Sequence, residues 1–425
     1  MKKFNTSPIS GAQEFLPSTQ AVFSQLKSQI AQVYHAHGFQ EIETPTIERT
    51  EILLAKAGGD TEKQIYKVVK TAETSDEADQ ALRFDHTVPL ARYVVEHEND
   101  LPFPFKVTQI GRNFRGERAQ KGRSREFYQC DVDIVGRNSL PLAYDAEAIA
   151  TVYEALTTFV NAKMVVRISN RKILTGLLQA LALSEKAEAI FGIIDHAEKV
   201  PASVTQEALK NLGLDDSQQQ TLTDFISIHG TADEISEKLQ SLNITNETYQ
   251  QGVDELIQIL TILSENGLAG NIIGDMLIIR GLDYYTGTVF ETILPDYKEI
   301  GSICSGGRYD NLASNYTDQS FPGVGGSIGL SRLFYILQEK SLIKPEILQS
   351  HQLIDMAIIP ISEHERKFAF DTAKKLRAEG KAVDVILTDK KLGDKLAYAS
   401  KIASAAIVLG ENEVTSGTYE IKEFN

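Results

Sequence analysis

Arginine and carboxylate side chains are concentrated in residues 105–136, FKVTQIGRNFRGERAQKGRSREFYQCDVDIVG. Between Phe105 and Glu126, seven Lys or Arg residues stand against two Glu residues, a local charge of +5 in a chain whose net charge is −15. Planar guanidinium groups bind phosphate oxygens through paired hydrogen bonds, and several together favour phosphoryl or nucleotidyl transfer. This local reversal of charge therefore predicts a site for an anionic ligand.

The two runs that flank the basic turn RAQKGR read as strands of an antiparallel hairpin. At period 2, one face of the second run is apolar and continues into a core. The other face has an aromatic residue followed by polar ones, which suits the floor of a site: Phe127, Gln129, Asp131 and Asp133. On the first run, Asn113, Arg115 and Glu117 share a face. The alternative interpretation is a solvated hairpin at the edge of a sheet.

Further arginines occur on predicted strands or at strand–helix joints; with the hairpin arginines, the set is Arg115, Arg123, Arg280, Arg308 and Arg332. Common nucleotide and hydrolase motifs do not account for them. The segment GVGGSIG resembles a dinucleotide fingerprint, but Ile328 stands where its last glycine is required, and the chain has neither a G-x-x-x-x-G-K-[ST] loop nor a G-x-S-x-G motif. Phosphoryl or nucleotidyl transfer assisted by several arginines remains the favoured chemistry.

Composition limits the class of protein. A length of 425 residues predicts about three domains. The acidic balance argues against a protein that coats nucleic acid non-specifically, but it permits one that reads a structured RNA through local basic patches. Two cysteines, Cys130 and Cys304, give neither a zinc spacing nor a disulfide framework, which indicates a reducing cytosol. We find no signal-peptide core and no run of membrane-spanning length.

Periodicity then predicts the elements that position these residues. A helix is expected over 18–37, between Ser18 and Gly38, and a strand end or edge at Pro45. The remaining predictions are a loop at 71–80, a strand passing into a helix over 82–94, a helix at 142–162, a strand at 164–170, helices over 171–270, strand character at 275–294 and 301–312, and a strand–helix pair at 321–340. Alternating strands and helices after 352 predict a small α/β domain with parallel strands.

Several motifs resemble those of class II aminoacyl-tRNA synthetases. FRGE at 114–117, with Arg123 and Phe127 beyond the turn, resembles their motif 2; IETPTIE around Pro45 resembles motif 1, and GGSIGLSR at 325–332 resembles motif 3. RGLDYYTGTVFE at 280–291 and GGRYD at 306–310 are similar to two signatures of the histidyl-tRNA synthetase family. The tail, with KLGDKLAYASK and IVLGENEV, resembles that family's anticodon-binding domain, so the likeness covers nearly the whole chain.

The resemblance implies a fold and a reaction. The fold would be an α+β catalytic domain with an antiparallel sheet, the class II synthetase core, in residues 1–170 and 271–340. A helical insertion would occupy 171–270 and an α/β anticodon-binding domain 352–425. The reaction would activate L-histidine with ATP, in the presence of Mg²⁺, and transfer the histidyl group to the 3′ end of tRNA(His). A cytoplasmic homodimer formed through the Pro45 region is also implied.

The resemblance assigns roles residue by residue. Two arginines would stabilise charge at the α-phosphate: Arg115 and Arg280. ATP would be bound by Arg115, with Glu117 on the adenine amine, Phe127 stacked on the ring, and Arg123 and Arg332 on the phosphates or ring. The histidine pocket would be formed by Asp85, His86, Thr87, Gln129, Asp133, Tyr284, Tyr285 and Tyr309. Asp85, Thr87 and Gln129 would hold the α-amino group, and Asp133 and Tyr285 would bracket the imidazole. Gln120 would lie near the tRNA acceptor end, and no residue is assigned to a metal.

Two alternatives stay open. One is the catalytically silent paralogue that serves as regulatory subunit of ATP phosphoribosyltransferase; it usually lacks the anticodon domain and has lost nucleotide-binding arginines. The other is an RNA-binding or structural protein built on an inactive synthetase domain. Three departures from the family pattern add expectations. His86 replaces a small or aliphatic residue, Gly326 replaces a bulkier one and predicts a looser pocket, and the sequence stops at TYEIKEFN, slightly short of the family's usual end, which predicts a tail without its last strand or helix. On a regular strand Tyr284 and Tyr285 would point to opposite sides, so at most one would contact the ligand directly unless the chain bulges near Gly281. Asp131 receives no role.

Overall fold

The basic hairpin forms as its alternation predicts. Strands β5 and β6 pair antiparallel along their whole length, with Phe105 opposite Val135 and Phe114 opposite Glu126. The apolar face of β6 is buried at Cys130, and its polar face lines a cavity at Gln129. Because β12 pairs with the other edge of β6, the hairpin lies inside a sheet, and the interpretation as an exposed edge hairpin is wrong.

A computed structural model describes residues 4–55, 62–70, 79–278, 284–348 and 354–424. The chain divides into a larger unit, Met1–Gln13 with Lys27–Ile343, and a smaller unit, Glu14–Leu26 with Lys344–Asn425. In chain order, the strands of the larger unit are β1 (Gln40–Glu41), β2 (Ile47–Arg49), β3 (Lys67–Val68), β4 (Gln80–Leu82), β5 (Phe105–Phe114), β6 (Glu126–Val135), β7 (Val165–Asn170), β8 (His229–Gly230), β9 (Ile272–Asp275), β10 (Thr288–Ile293), β11 (Ser302–Tyr309) and β12 (Gly323–Ile328).

The helices complete the larger unit. They are α1 (Pro17–Ala36), α2 (Thr50–Leu54), α3 (Thr87–Glu96), α4 (Ala143–Thr157), α5 (Arg171–Ala180), α6 (Ala187–Ala197), α7 (Ala202–Asn211), α8 (Asp216–Ile226), α9 (Ala232–Ser241), α10 (Glu247–Leu263) and α11 (Leu330–Glu339). The first ten residues of α1 belong to the smaller unit. Among the described residues, no helix combines the length and apolar content that a membrane crossing requires.

The central sheet has nine strands in the described part of the chain, in the order β1-β5-β6-β12-β11-β10-β7-β9-β8. From β5 to β7 every neighbouring pair is antiparallel. The α+β class with an antiparallel catalytic sheet is therefore confirmed. A second sheet, β2-β4-β3, lies beside the start of α3.

The short strand β4 leads into α3 close to Pro89, as predicted. Pro89 lies in the first turn of the helix, where its missing N–H would have no intrahelical partner. The side chain of Asp85 accepts a hydrogen bond from the Val88 N–H at 3.1 Å, so this carboxylate satisfies one of the free donors at the helix start. The predicted loop at 71–80 falls largely on 71–78, outside the described residues.

The helical character predicted for 171–270 is confirmed by helices α5 to α10. That this segment is a separate domain stays a prediction. Residues 27–343, which include it, form one compact unit. The strand character predicted for 275–294 is confirmed at Asp275 and over Thr288–Ile293 and is wrong at 276–278, 284–287 and 294, while 279–283 lie outside the described residues. Strand β9 ends at Asp275 and β10 begins at Thr288.

The smaller unit contains α12 (Pro345–Leu348), β13 (Ile354–Pro360), α13 (Arg366–Ala378), β14 (Val383–Val385), α14 (Leu392–Ile402), β15 (Ala403–Leu409), α15 (Glu411–Ser416) and β16 (Ile421–Glu423). Its sheet has the order β14-β13-β15-β16. Strand β13 is parallel to both β14 and β15, which confirms the predicted parallel α/β arrangement. Strand β16 pairs antiparallel with β15 at the edge.

Candidate active site

A cavity of about 1660 Å³ opens over the polar face of β6 and the adjoining β12 and β11. Twelve of the predicted site residues line it: Asp85, Thr87, Arg115, Glu117, Arg123, Phe127, Gln129, Asp133, Tyr284, Tyr285, Tyr309 and Arg332. The remaining side chains come from the end of β5, the basic turn, the start of α3, the segment before β10, strand β11 and helix α11. The period-2 reading of the hairpin therefore placed the floor of the site correctly.

The deepest part of the cavity holds a buried carboxyl group. Asp133 is 3% exposed, and its Oδ1 accepts a hydrogen bond from the hydroxyl of Tyr309 at 2.7 Å. Burial raises the pKa of Asp133 to about 8, and the charges of Asp131 and Asp85 contribute to this increase against the Tyr309 hydrogen bond. Such a group can accept from, or share a proton with, an imidazole ring, whose own pKa lies near 6.5.

Asp85 has an unused acceptor. Its Oδ1 binds the Val88 N–H, but its Oδ2 is buried and has no hydrogen-bond partner among the described residues. Burial raises the pKa of Asp85 to about 6. An unsatisfied buried carboxylate oxygen is unfavourable for folding. Because Asp85 lines the cavity, this oxygen fits a cationic donor brought by a ligand, such as an ammonium group.

The raised pKa of Asp133 makes stability depend on pH. The folded state keeps the proton up to about pH 8, whereas an unfolded Asp loses it near pH 3.9. Wild-type stability is therefore expected to fall as pH rises between these values. For Asp133→Asn, which cannot ionise, this fall is absent, so its Tm should exceed the wild-type Tm more at pH 8.5 than at pH 5. Differential scanning calorimetry across this range checks it; a Tm difference that shrinks with rising pH would refute it.

The cationic part of the cavity lies around Arg115. Its guanidinium stands 5.1 Å from the ring centroid of Phe127, and its Nε donates to the carbonyl of Phe84 at 3.1 Å. Across the turn, Arg123 approaches Glu117 at 3.5 Å. Arg332 donates to the Ile300 carbonyl at 2.8 Å, and its pKa is lowered first by burial and then by the nearby charge of Arg123. Two cations held close together favour a polyanion between them.

Three tyrosines form one wall of the cavity. The ring centroids of Tyr284 and Tyr285 are 5.1 Å apart, and those of Tyr284 and Tyr309 are 6.0 Å apart, both edge to face. Opposite orientations of Tyr284 and Tyr285 were expected only on a regular strand; the segment that carries them is not one, and both line the cavity. They precede β10 and lack its regular alternation.

Glycines on β12 and β11 shape the floor. A Cβ at Gly325 would overlap the carboxyl group of Asp133, so only glycine leaves room for that side chain. The loosening expected from Gly326 is not observed. A Cβ there would point away from the cavity and lie 2.8 Å from the ring of Phe290, which occupies the space of a larger residue at this position.

Other predicted residues lie elsewhere. His86 is fully buried and does not line the cavity; its ring is hydrogen-bonded to Asp131. Gln120 is exposed in the basic turn, where it pairs with Arg123 through the backbone, and it lies outside the cavity lining. Arg308 is bound to Asp145 at 2.7 Å in the core, so it is structural. Arg280 lies outside the described residues.

Sequence reasoning missed the partners of Asp131. Its carboxylate is held by His86 and by Ser327 on β12, and Ser327 also binds Gln129. The only signal in the sequence was that Asp131 shares a strand face with Gln129 and Asp133. Its partners are 45 and 196 residues away, so spacing along the chain could not reveal them.

Comparison with protein families gives two matches. The model for histidyl-tRNA synthetase matches residues 11–333, and the model for an anticodon-binding domain matches residues 355–425. Among curated relatives, the histidine–tRNA ligase of Clostridium tetani is 43% identical over 426 residues, which cover 99% of this chain and 95% of the relative. That of Finegoldia magna is 43% identical over 418 residues, covering 98% and 94%.

Solved structures give the same fold. The crystal structure of histidyl-tRNA synthetase from Nostoc sp. PCC 7120 superposes with a TM-score of 0.87 at 35% identity, covering 99% of this chain and 95% of that one. The crystal structure of an ATP phosphoribosyltransferase regulatory subunit/histidyl-tRNA synthetase from Bacillus halodurans C has a TM-score of 0.78 at 23% identity, which establishes likeness of fold alone.

Proposed function

We propose that this chain, which belongs to the histidyl-tRNA synthetase family, ligates L-histidine to the 3′ end of tRNA(His) at the expense of ATP. The observation that carries the proposal is the composition of one cavity. It combines the arginines Arg115, Arg123 and Arg332 with two buried carboxyl groups, Asp85 and Asp133. The first set fits a nucleotide triphosphate, and the second fits the two basic groups of histidine.

In the first step, a carboxylate oxygen of histidine attacks the α-phosphorus of ATP. The bond from that phosphorus to the bridging oxygen of pyrophosphate breaks, and histidyl-adenylate remains. Negative charge develops on the α-phosphate oxygens, and the guanidinium of Arg115, already fixed by the Phe84 carbonyl and the Phe127 ring, stabilises it. Arg123 and Arg332 bind the departing phosphates, Phe127 stacks on the adenine, and Glu117 accepts from its amine. Arg280 assists at the α-phosphate on family resemblance alone.

In the second step, a ribose hydroxyl of the terminal nucleotide of tRNA attacks the carbonyl carbon of the adenylate, and AMP leaves. No protein nucleophile is needed in either step. The catalytic contribution is then mainly orientation and charge stabilisation. Gln120, on the exposed basic turn, is proposed to contact the acceptor end.

Two groups of polar residues recognise histidine, one at its α-ammonium group and one at its imidazole. The free Oδ2 of Asp85 accepts from the α-ammonium group, with Thr87 and Gln129 beside it. Asp133 binds one imidazole nitrogen, and the Tyr285 hydroxyl binds the other. Burial keeps Tyr285 protonated, since the pKa of its hydroxyl is raised. An amino acid without the ring nitrogens would leave Asp133 without its ligand partner, which is the kind of defect that gives strong discrimination.

Mg²⁺ is proposed as the counter-ion that accompanies the phosphates of ATP. In the described part of the chain, no group of three His, Cys, Asp or Glu side chains lies close enough to hold a metal. These residues do not fit a resident ion, and we derive no step through one. Magnesium commonly reaches nucleotide sites bound to substrate phosphates.

The remaining partners belong to the same proposal. The smaller unit would bind the anticodon of tRNA(His), as its family match implies. A homodimer would form next to Pro45, where exposed apolar side chains occur on and beside the β2-β4-β3 sheet: Ile47, Leu54 and Val69. Sedimentation equilibrium tests it, since a monomer at micromolar concentration would contradict it. The site of action would be the cytoplasm, where tRNA is charged.

ATP–pyrophosphate exchange tests the function directly. We expect the purified protein to exchange labelled pyrophosphate into ATP when L-histidine is added, and not with phenylalanine or glutamine in its place. Exchange with no dependence on histidine, or none at all, would defeat the proposal. Histidine binding without exchange would instead favour the regulatory-subunit alternative. That alternative is disfavoured by the anticodon-binding domain at 355–425 and by the arginines that line the cavity.

A further inference from the structure

A buried histidine lies directly behind the wall of the cavity. His86 is 0% exposed, and its Nδ1 lies 3.0 Å from Oδ2 of Asp131, which is itself 3% exposed. Its backbone carbonyl accepts from the side chain of Gln109 at 3.2 Å. His86 is thus fixed through its ring at Nδ1 and through its backbone carbonyl. Since it does not line the cavity, any effect of His86 on the ligand must pass through its neighbours.

Hydrogen bonds connect Asp131 to the floor of the cavity. Its other oxygen, Oδ1, accepts from the hydroxyl of Ser327 at 2.5 Å, and the Ser327 oxygen accepts from the side-chain Nε2 of Gln129 at 2.6 Å. Gln129 lines the cavity. The chain His86–Asp131–Ser327–Gln129 therefore directs the Nε2 of Gln129 toward Ser327, because Ser327 has one proton and gives it to Asp131, while the Oε1 of Gln129 faces the side chain of Asn113 at 2.7 Å.

Arg83 lies beside the ring of His86. It is 2% exposed and donates to the backbone carbonyls of Thr44 and Arg112. A Cβ at Gly111 would lie 2.7 Å from Nη2 of Arg83 and 3.2 Å from Nε2 of His86, so both groups occupy the space above this glycine. The Arg83 guanidinium interacts favourably with the carboxylate of Asp131, and the ring of His86 is hydrogen-bonded to the same carboxylate.

In the sequence, His86 lies between two residues that line the cavity. Asp85 and Thr87 both line the cavity, and Asp85 Oδ1 caps the first turn of α3. Anchoring the imidazole to Asp131 therefore holds the short segment that carries Asp85. Two of the three polar residues proposed for the α-amino end of histidine, Asp85 and Gln129, are therefore linked to the same buried ring.

We propose that His86 is a positioning residue for amino-acid binding: through Asp131 and Ser327 it orients Gln129, and through its own backbone it fixes Asp85. The inference rests on the proposed function for the identity of the ligand. The two can fail separately, since wild-type exchange tests the function, and a His86 variant tests the inference only where the wild type is active.

The test compares His86→Leu with His86→Asn. Leucine fills the space but leaves Oδ2 of Asp131 without its partner while Ser327 still donates to Oδ1, whereas the Nδ2 of asparagine can take the place of Nδ1. For His86→Leu we expect the KM for histidine in ATP–pyrophosphate exchange to rise roughly 10- to 50-fold with the KM for ATP within about twofold. For His86→Asn the histidine KM should stay within roughly threefold of wild type.

A double-mutant cycle separates positioning from general destabilisation. Ser327→Ala breaks the same chain one step closer to the cavity, so its effect on histidine KM should not add to that of His86→Leu. Additive effects, equal increases in the KM for histidine and ATP, or an unchanged histidine KM in His86→Leu would each overturn the inference. If His86→Leu does not fold, a His86→Asn variant with a histidine KM raised as far as that of Ser327→Ala would overturn it too.

Discussion

Arg115→Ala is expected to abolish histidine-dependent ATP–pyrophosphate exchange, with kcat lowered roughly 10³-fold. The side chain lines the cavity, its Nε is fixed on the Phe84 carbonyl, and its guanidinium lies over the Phe127 ring. A donor held this firmly needs no reorganisation when charge develops on the α-phosphate. Because that charge belongs to the transition state, the loss should appear in kcat more than in the KM for ATP. Steady-state exchange at saturating substrates measures it.

Arg112→Ala is the matched control. Arg112 lies on the same strand, but it is exposed, pairs with Glu126 at 2.9 Å and does not line the cavity. Exposed ion pairs contribute little to stability. We expect this variant to retain exchange within about twofold of wild type. Equal losses in the two variants would mean that general positive charge on the hairpin matters, and the specific role of Arg115 would be refuted.

Short-range sequence patterns were enough to predict the strands and helices that carry most of the site residues. The hairpin could be predicted because residue types alternate over 127–133, and a strand converts that alternation into two faces; every second residue from Phe127 to Asp133 lines the cavity. The parallel tail could be predicted because each apolar run is followed by a helix. Such predictions fail where regular alternation stops. Tyr284 and Tyr285 would face opposite sides of a regular strand, but the segment that carries them is not one, and both line the cavity.

What sequence could not give was contact between distant segments. Phe290 takes up the volume that Gly326 leaves, although the two residues lie on different strands. His86 meets Asp131, and Asp131 meets Ser327, only after three segments have come together. Family resemblance placed His86 in the histidine pocket by its position next to Asp85. The side chain instead points behind the wall, because residues 85 and 87 face the cavity and residue 86 lies between them.

Three buried carboxyl groups at the candidate site reduce the stability of the folded protein. Asp85, Asp131 and Asp133 are each no more than 3% exposed, and three buried carboxyl groups in one region repel one another when ionised. Asp131 is compensated inside the protein by His86 and Ser327. Asp133 accepts one hydrogen bond, from the Tyr309 hydroxyl, and Asp85 retains an oxygen without a hydrogen-bond partner among the described residues. The degree of internal compensation thus decreases toward the position where the ligand's ammonium group is proposed to bind.

Because Asp85 is the least compensated of the three carboxylates, its substitution should have the second large effect on binding. Asp85→Asn is expected to weaken histidine binding roughly 10²-fold while leaving the Kd for ATP within about twofold. The amide oxygen can still cap α3 at the Val88 N–H, so the fold is preserved, but the negative charge that attracts the ammonium group is gone. Isothermal titration with histidine and, separately, with ATP measures both constants.

Stability should change in the opposite direction to binding. The pKa of Asp85 is raised to about 6 in the folded protein, so wild-type stability falls as pH rises from near 4 to about 6, and above that range the folded state carries the full cost of the buried charge. Asparagine never carries it, and Tm of the variant at pH 7.5 should be at least that of wild type. Asp100→Asn, at an exposed position after α3, is the control and should change neither quantity. A variant at position 85 that loses histidine binding and stability together would show that Asp85 serves the fold, whereas a gain in Tm with a loss of affinity is the behaviour of a group kept for its ligand.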